Sequence, residues 1–210
     1  MRPRHYSYSR EAASNTSIAA LQTLAGAGSL TLDGTYGTTG FTSGLAWNLT
    51  LTSANNLSAR TFTVNYIDAQ GNAQSTTSSG PNATTLATSI YVSQVTSITV
   101  DGAVTEVSVG HAQVGYGPWK GLPMRLNTGN SSASIGIGGT ANVGLEVTYA
   151  NIADNTVFAG TFDSFDHEAL QSLTASDFAS LETRVIGCRL KINSWTSGAI
   201  RLDLAVAAEG

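Results

Sequence analysis

The densest group of chemistry-bearing side chains is acidic: Asp163, Asp166, His167 and Glu168 fall within six positions, and Asp154 precedes them. Carboxylates and an imidazole at that density are the raw material of a calcium or zinc site, or of the paired carboxylates of a glycan hydrolase. The spacing matches neither an EF-hand loop nor two histidines one helical turn apart. The plainer reading is a solvated turn in which Asp163 or Ser164 caps a short helix running to Leu173. Acyl transfer requires a nucleophile with a base placed to activate it. The histidines are His5, His111 and His167, and none stands in a nucleophile elbow. Cys188 is the single cysteine, so no intrachain disulfide forms, and it occupies an inward position of an alternating strand, as a small core residue does. Gly136-Ile-Gly-Gly139 has the glycine content of a phosphate loop without its context. A strand rather than a helix follows, so a hairpin turn is expected. Of the three tryptophans, Trp47 falls on an apolar strand face and Trp119 beside a chain break. Trp195, at a turn, is the one candidate for contact with a sugar or receptor. No catalytic, cofactor-binding or metal-binding residue is assigned, and the chain is read as a non-enzyme that carries no cofactor.

The elements that would position such side chains are strands. Leu45, Trp47, Leu49 and Leu51 alternate with polar or small residues, as do Phe62, Val64 and Tyr66. Asp68-Ala-Gln-Gly71-Asn72 is turn chemistry, and the polar return strand from Ala73 reads as exposed or as an edge. Further strands are expected at Leu86–Val92, Val95–Val100 and Val104–Val109. Gly115-Tyr-Gly-Pro-Trp-Lys-Gly-Leu-Pro123 interrupts the pattern, because proline lacks a ladder donor and glycine has no side chain to pack. Beyond it lie strands at Ser132–Ile137 and Val143–Tyr149, then a closing pair. In that pair Cys188, Leu190 and Ile192 face one way, and Ile200, Leu202, Leu204 and Val206 follow a turn at Trp195–Gly198. The fold expected is all-β: two tandem antiparallel β-sandwich-like units, with an N-terminal extended arm and one short helix. The boundaries expected are 1–28 for the arm, 29–115 for the first unit and 116–210 for the second. A single larger sandwich is the alternative. Within the arm, one helical turn is expected around Ile18–Leu24, ended by Gly26-Ala-Gly28.

Charged residues make up 11% of the chain, against about 25% in an ordinary globular protein. Its polar surface must come from Thr, Ser, Asn and Gln, and so neutral a surface points to packed neighbours. With a net charge of −4 and no dense Lys/Arg cluster, the chain lacks the footprint of a nucleic-acid binder. The nearest to a basic segment is the arm. Its Arg2, Arg4, Tyr6, Tyr8 and Arg10 are candidate assembly contacts on a neighbouring subunit. No stretch approaches the ~20 apolar residues of a membrane-crossing helix, so no membrane partner is expected.

Several runs carry a family resemblance. Leu49-Thr-Leu-Thr-Ser-Ala-Asn-Asn-Leu-Ser-Ala-Arg60 leads to Phe62-Thr-Val-Asn-Tyr-Ile-Asp-Ala-Gln-Gly-Asn72. Gly80-Pro-Asn82, Val95-Thr-Ser-Ile-Thr-Val-Asp-Gly-Ala103 and Val107-Ser-Val-Gly110 then follow in order. This series is similar to β modules in the virion structural proteins of tailed bacteriophages. The part from Val143-Gly-Leu-Glu-Val-Thr-Tyr149 to the terminal pair also resembles a module of such proteins. The resemblance implies a virion component, on the head or in the neck or tail. It would work through contacts with the major capsid protein or neck and tail proteins, as a homo-oligomer (trimer or hexamer) without catalytic residues. A receptor- or carbohydrate-binding β-sandwich module of a phage tail or bacterial surface is the alternative.

Overall fold

The computed structural model describes residues 2–122, 131–150, 164–181 and 185–206. Every regular element among them is a strand. In chain order they are β1 (Arg2–Ser9), β2 (Ser14–Leu24), β3 (Gly28–Ser29), β4 (Ala46–Ser53), β5 (Thr61–Ile67), β6 (Ala73–Ser79), β7 (Thr85–Val92) and β8 (Gln94–Val100). Then come β9 (Val104–Tyr116), β10 (Lys120–Gly121), β11 (Ser131–Ile137), β12 (Ala141–Thr148), β13 (Ser164–Asp166), β14 (Asp177–Leu181), β15 (Gly187–Trp195) and β16 (Ala199–Val206). The chain divides into two compact units, one of residues 11–115 and one of residues 1–10 with 116–210.

In the unit of residues 11–115, one sheet runs β3-β8-β5-β6. The other places β4 between β9 and β7, with β2 also on β9. Both sheets feed one core. Leu49, Leu51, Val92, Val107 and Val109 come from one, and Phe62, Val64, Val95, Ile98 and Val100 from the other. Burial of each large side chain of this kind contributes about 1.5–3 kcal/mol. Ser93 is the single residue between β7 and β8, where the chain changes sheet. Its amide and hydroxyl both donate to the Ile67 carbonyl, at 2.8 and 3.0 Å, and tie the corner down.

In the other unit, one sheet has the order β1-β16-β11-β14. A second set runs β13-β12-β15, with β10 also on β15. The expected alternation holds on the closing strands. Cys188, Leu190, Ile192, Ile200, Leu202 and Leu204 are buried, with Arg189, Lys191 and Arg201 turned the other way. Period-two patterning fixes this, since a one-residue slip would reverse every side chain.

Four expectations change. Residues 2–9 are not a free arm: β1 pairs residue by residue with β16, from Arg2↔Val206 to Ser9↔Ala199. The Ile18–Leu24 segment is no helical turn but part of β2, held against β9 with shifts of register at three places. Those shifts erase the two-residue alternation, and tertiary pairing overrides the local pattern. No helix occupies Ser164–Leu173. Its first three residues form β13, and the rest loops back so that Leu170 and Leu173 accept from the amides of Leu145 and Val143 in β12. Of the two nominated caps, Ser164 begins β13 and Asp163 lies outside the described residues. Finally, neither glycine turn closes a hairpin. β11 pairs with β16 and β14, while β12 pairs with β15 and β13, so the turns at 138–140 and 196–198 each carry the chain between sheets. The two turns lie side by side: Gly138 N–H donates to Ala199, and Thr196 N–H donates to Thr140. A Cβ on Gly139 would overlap the Ser197 carbonyl, which is why glycine stands there.

Candidate functional site

The acidic group nominated by the sequence does not converge. The Asp166 carboxylate on β13 takes the Lys191 ammonium on both oxygens at 2.9 Å. Lys191 also lies 3.8 Å from Glu146, which Arg189 holds at 2.6 Å. The Arg189 guanidinium in turn covers the rings of Tyr116 and Trp119, at 4.0 and 4.6 Å. These charges form a ladder across β13, β12 and β15. Nε2 of His167 lies 3.2 Å from the Ser180 carbonyl, and Glu168 is exposed. Among the described residues no three His, Cys, Asp or Glu side chains are grouped to hold a metal ion. Asp154 lies outside those residues, as Asp163 does.

A second polar cluster carries no sequence signature at all. The Glu11 side chain is buried, and its carboxylate accepts from Thr42 N–H (2.6 Å), Thr42 Oγ1 (3.1 Å), Ser43 N–H (3.1 Å), Ser43 Oγ (2.5 Å) and Trp47 Nε1 (2.8 Å). Its backbone carbonyl faces Nε2 of His111 at 3.3 Å and accepts from Gln113. Nδ1 of His111 lies 2.8 Å from the Ser17 hydroxyl. Serine, histidine and glutamate meet here, but not as a catalytic triad. Opposite Ser17, the imidazole meets the Glu11 backbone carbonyl, while the Glu11 carboxylate accepts from Thr42, Ser43 and Trp47. Ser17 and His111 are 5% and 1% exposed, with the rings of Tyr36, Phe41 and Trp47 packed around the imidazole. A nucleophile sealed from substrate does no acyl transfer. The cluster is a clamp that fastens the start of this unit to the 42–43 loop and to β9.

The outer face of the β1-β16-β11-β14 sheet offers accessible chemistry. The registers align His5, Asp203, Ser134 and Phe178 in one row across all four strands. Asp203 is held at 2.6 Å by His5 and at 2.7 Å by Arg201 from the neighbouring row. Gly136, opposite Arg201, leaves that row open, and Phe178 stands 76% exposed beside it. Together with Ser176 and Asp177 they border an open depression of about 270 Å³.

The remaining nominees are spent on the fold. Trp195 is 1% exposed and donates to the Ser197 carbonyl at 3.1 Å, so its ring has no face to offer a sugar. A turn-flanking tryptophan reads as exposed in sequence, but here the turn changes sheet and brings it inward. Tyr8 is buried, and Tyr6 lies half-buried under the Lys120 ammonium at 4.3 Å. Arg10 donates to the Trp195 carbonyl at 3.0 Å, Arg4 is exposed, and Arg2 is the β1 residue opposite Val206. Cys188 sits deep in β15 opposite Lys120, and burial pushes its thiol pKa up to about 12. A thiol so protonated is a core residue rather than a nucleophile. Phe178 was missed because strand β14 is short and its alternation weak.

No protein-family model, curated protein or solved structure matches the chain.

Proposed function

We propose that the chain is a non-enzymatic structural component of a tailed-phage virion, built as tandem antiparallel β-sandwich units. It assembles on the capsid as a decoration or cement protein, or at the head–tail junction or tail. Its partners are the major capsid protein or neck and tail proteins, and it works as a trimer or hexamer rather than alone. The observation that carries this reading is the disposition of reactive groups. Among the described residues, Glu146 and Asp166 are spent on ion pairs, Glu11 and His111 on a buried clamp, and Cys188 on core packing. The resemblance of the ordered motifs at Leu49–Gly110 to tailed-phage virion modules suggests the biological setting. Low charge and many small residues favour flat subunit packing.

Mass spectrometry of purified phage particles tests the proposal, with copies counted against the major capsid protein. Hundreds of copies mean head decoration, and six, twelve or eighteen mean the neck or tail. Absence from particles, together with a monomer at every concentration, overturns it.

A second reading, a carbohydrate-binding module, is favoured by one observation: the exposed Phe178 ring beside the paired Arg201 and Asp203. A sugar would stack on the ring and bond to the charged pair. Glycan-array binding that disappears in Phe178→Ala supports it, and an array without signal ends it.

A further inference from the structure

Among the described residues, strand β6 is the last strand of its sheet and pairs only with β5. Its register, Thr61↔Ser79 through Ile67↔Ala73, runs without a bulge. The bonds flanking the hairpin fix which residues face outward. Asp68 N–H donates to Asn72 at one end, and Gly80 N–H donates to Arg60 at the other. Hydrogen-bonded pairs alternate along an antiparallel ladder. Gln74, Thr76 and Ser78 therefore bond to β5, while Ala73, Ser75, Thr77 and Ser79 turn their amides and carbonyls away from the sheet. Among the described residues those outward groups meet one partner, the Ser78 hydroxyl that donates to the Ser79 carbonyl at 3.0 Å.

Natural sheets guard such an edge with lysine, proline, a bulge or an inward charge. Ala73-Gln-Ser-Thr-Thr-Ser-Ser79 carries none of them. The edge is unbulged, seven residues long, neutral and lined with side chains that are short or uncharged. We propose that β6 pairs with β6 of a second copy, antiparallel about a two-fold axis at Thr76. That register joins Ser75 to Thr77 and Ala73 to Ser79 of the partner, and engages every outward amide. A two-fold contact sets each residue type against its own neighbourhood, so like charges would face one another. Opposed like charges destabilise a ladder, whereas Ser and Thr pair favourably across it. This neutral sequence meets the requirement, and it favours a second copy over a charged partner segment.

The pairing deepens the assembly reading by naming its partner. Combined with a three-fold, it builds a hexamer of dihedral symmetry. A ladder of polar side chains buries little apolar surface, so the contact is weak in dilute solution and effective at particle densities.

Oxidation of the full chain carrying Thr76→Cys tests it. Thr76 faces itself across the axis as a non-hydrogen-bonded pair, close enough for a disulfide. In Thr77→Cys the two thiols belong to residues offset along the strand, beyond bridging distance. The native Cys188 is buried and stays out of the reaction. The expected result is at least about ten-fold more covalent dimer from Thr76→Cys than from Thr77→Cys, as that geometry dictates. Adding Ser75→Pro removes an outward amide, a change an edge strand tolerates, and should abolish the dimer while circular dichroism is unchanged. Where the proline variant unfolds, Thr77→Lys places like charges on either side of the axis and should lower the yield instead. Equal yields from the two cysteine variants, or dimer undiminished in a folded Ser75→Pro or Thr77→Lys chain, overturn the pairing. Particle copy number reads the virion proposal separately, so either can fail alone.

Discussion

Replacing Glu11 by alanine removes the acceptor shared by Thr42, Ser43 and Trp47 and strands the donors of the buried Ser43. Each buried donor left unpaired costs about 1–3 kcal/mol, so a total near 3 kcal/mol is expected after local relaxation. Urea unfolding of the variant followed by tryptophan fluorescence measures it, and a loss below about 1 kcal/mol would mean the clamp is slack. Cys188 gives a pH test. The thiol has a reference pKa of 9.0, and in the fold burial holds it protonated to about 12. The folded state thus retains a proton that the unfolded state releases. The contribution to stability is complete below about pH 9 and is lost as pH rises toward 12. Tyr8, also raised by burial, acts in the same direction, whereas Lys120, lowered by burial, acts in the opposite one. Comparing the urea midpoints at pH 8 and 10.5 in the parent and in Cys188→Ala isolates the thiol, and the alkaline loss should be smaller in the variant. At this scale the sequence was partly readable. Cys188 declared itself as a core residue through the alternation around it. The Glu11 clamp did not, because its donors are scattered from Thr42 to Gln113 and no spacing between them is periodic.

Deleting residues 2–9 removes β1, exposes the β16 edge and takes the buried Tyr8 with it. A dispensable tail would leave the melting temperature unchanged. Loss of a paired strand should instead lower it by several degrees, because a shift of 1 kcal/mol moves a domain of this size by about 2–4 °C. Differential scanning calorimetry of the truncated chain decides between the two. Strand content was legible wherever one face is apolar, as in β4, β5, β15 and β16. The connections were not. A glycine turn between two alternating runs reads alike whether it folds a hairpin or carries the chain to another sheet. The difference lies in which distant strand supplies the hydrogen bonds. The segment at Ile18–Leu24 failed for the complementary reason: register shifts against β9 blurred its period, and a helical turn fitted the blurred pattern.

Across the molecule, composition was the most legible level. Scarce charge and abundant Thr, Ser and Gly announced an all-β protein with neutral surfaces before any strand was placed. The allocation of residues 2–9 between units was hidden, because they find their partners in the distant strand β16. His5 and Asp203, paired at 2.6 Å, are separated by 198 positions. That pairing sets an order of events during synthesis. Strand β1 leaves the ribosome before its mate and must remain unsheeted until β16 has been translated. The unit of residues 11–115 holds its complete core within one continuous stretch and is free to fold first. Contacts of such long range are slow to form, and the uncovered edges meanwhile invite wrong partners. Completion of β16 is thus a timing signal: the sheet that holds both segments closes only once that strand has been made.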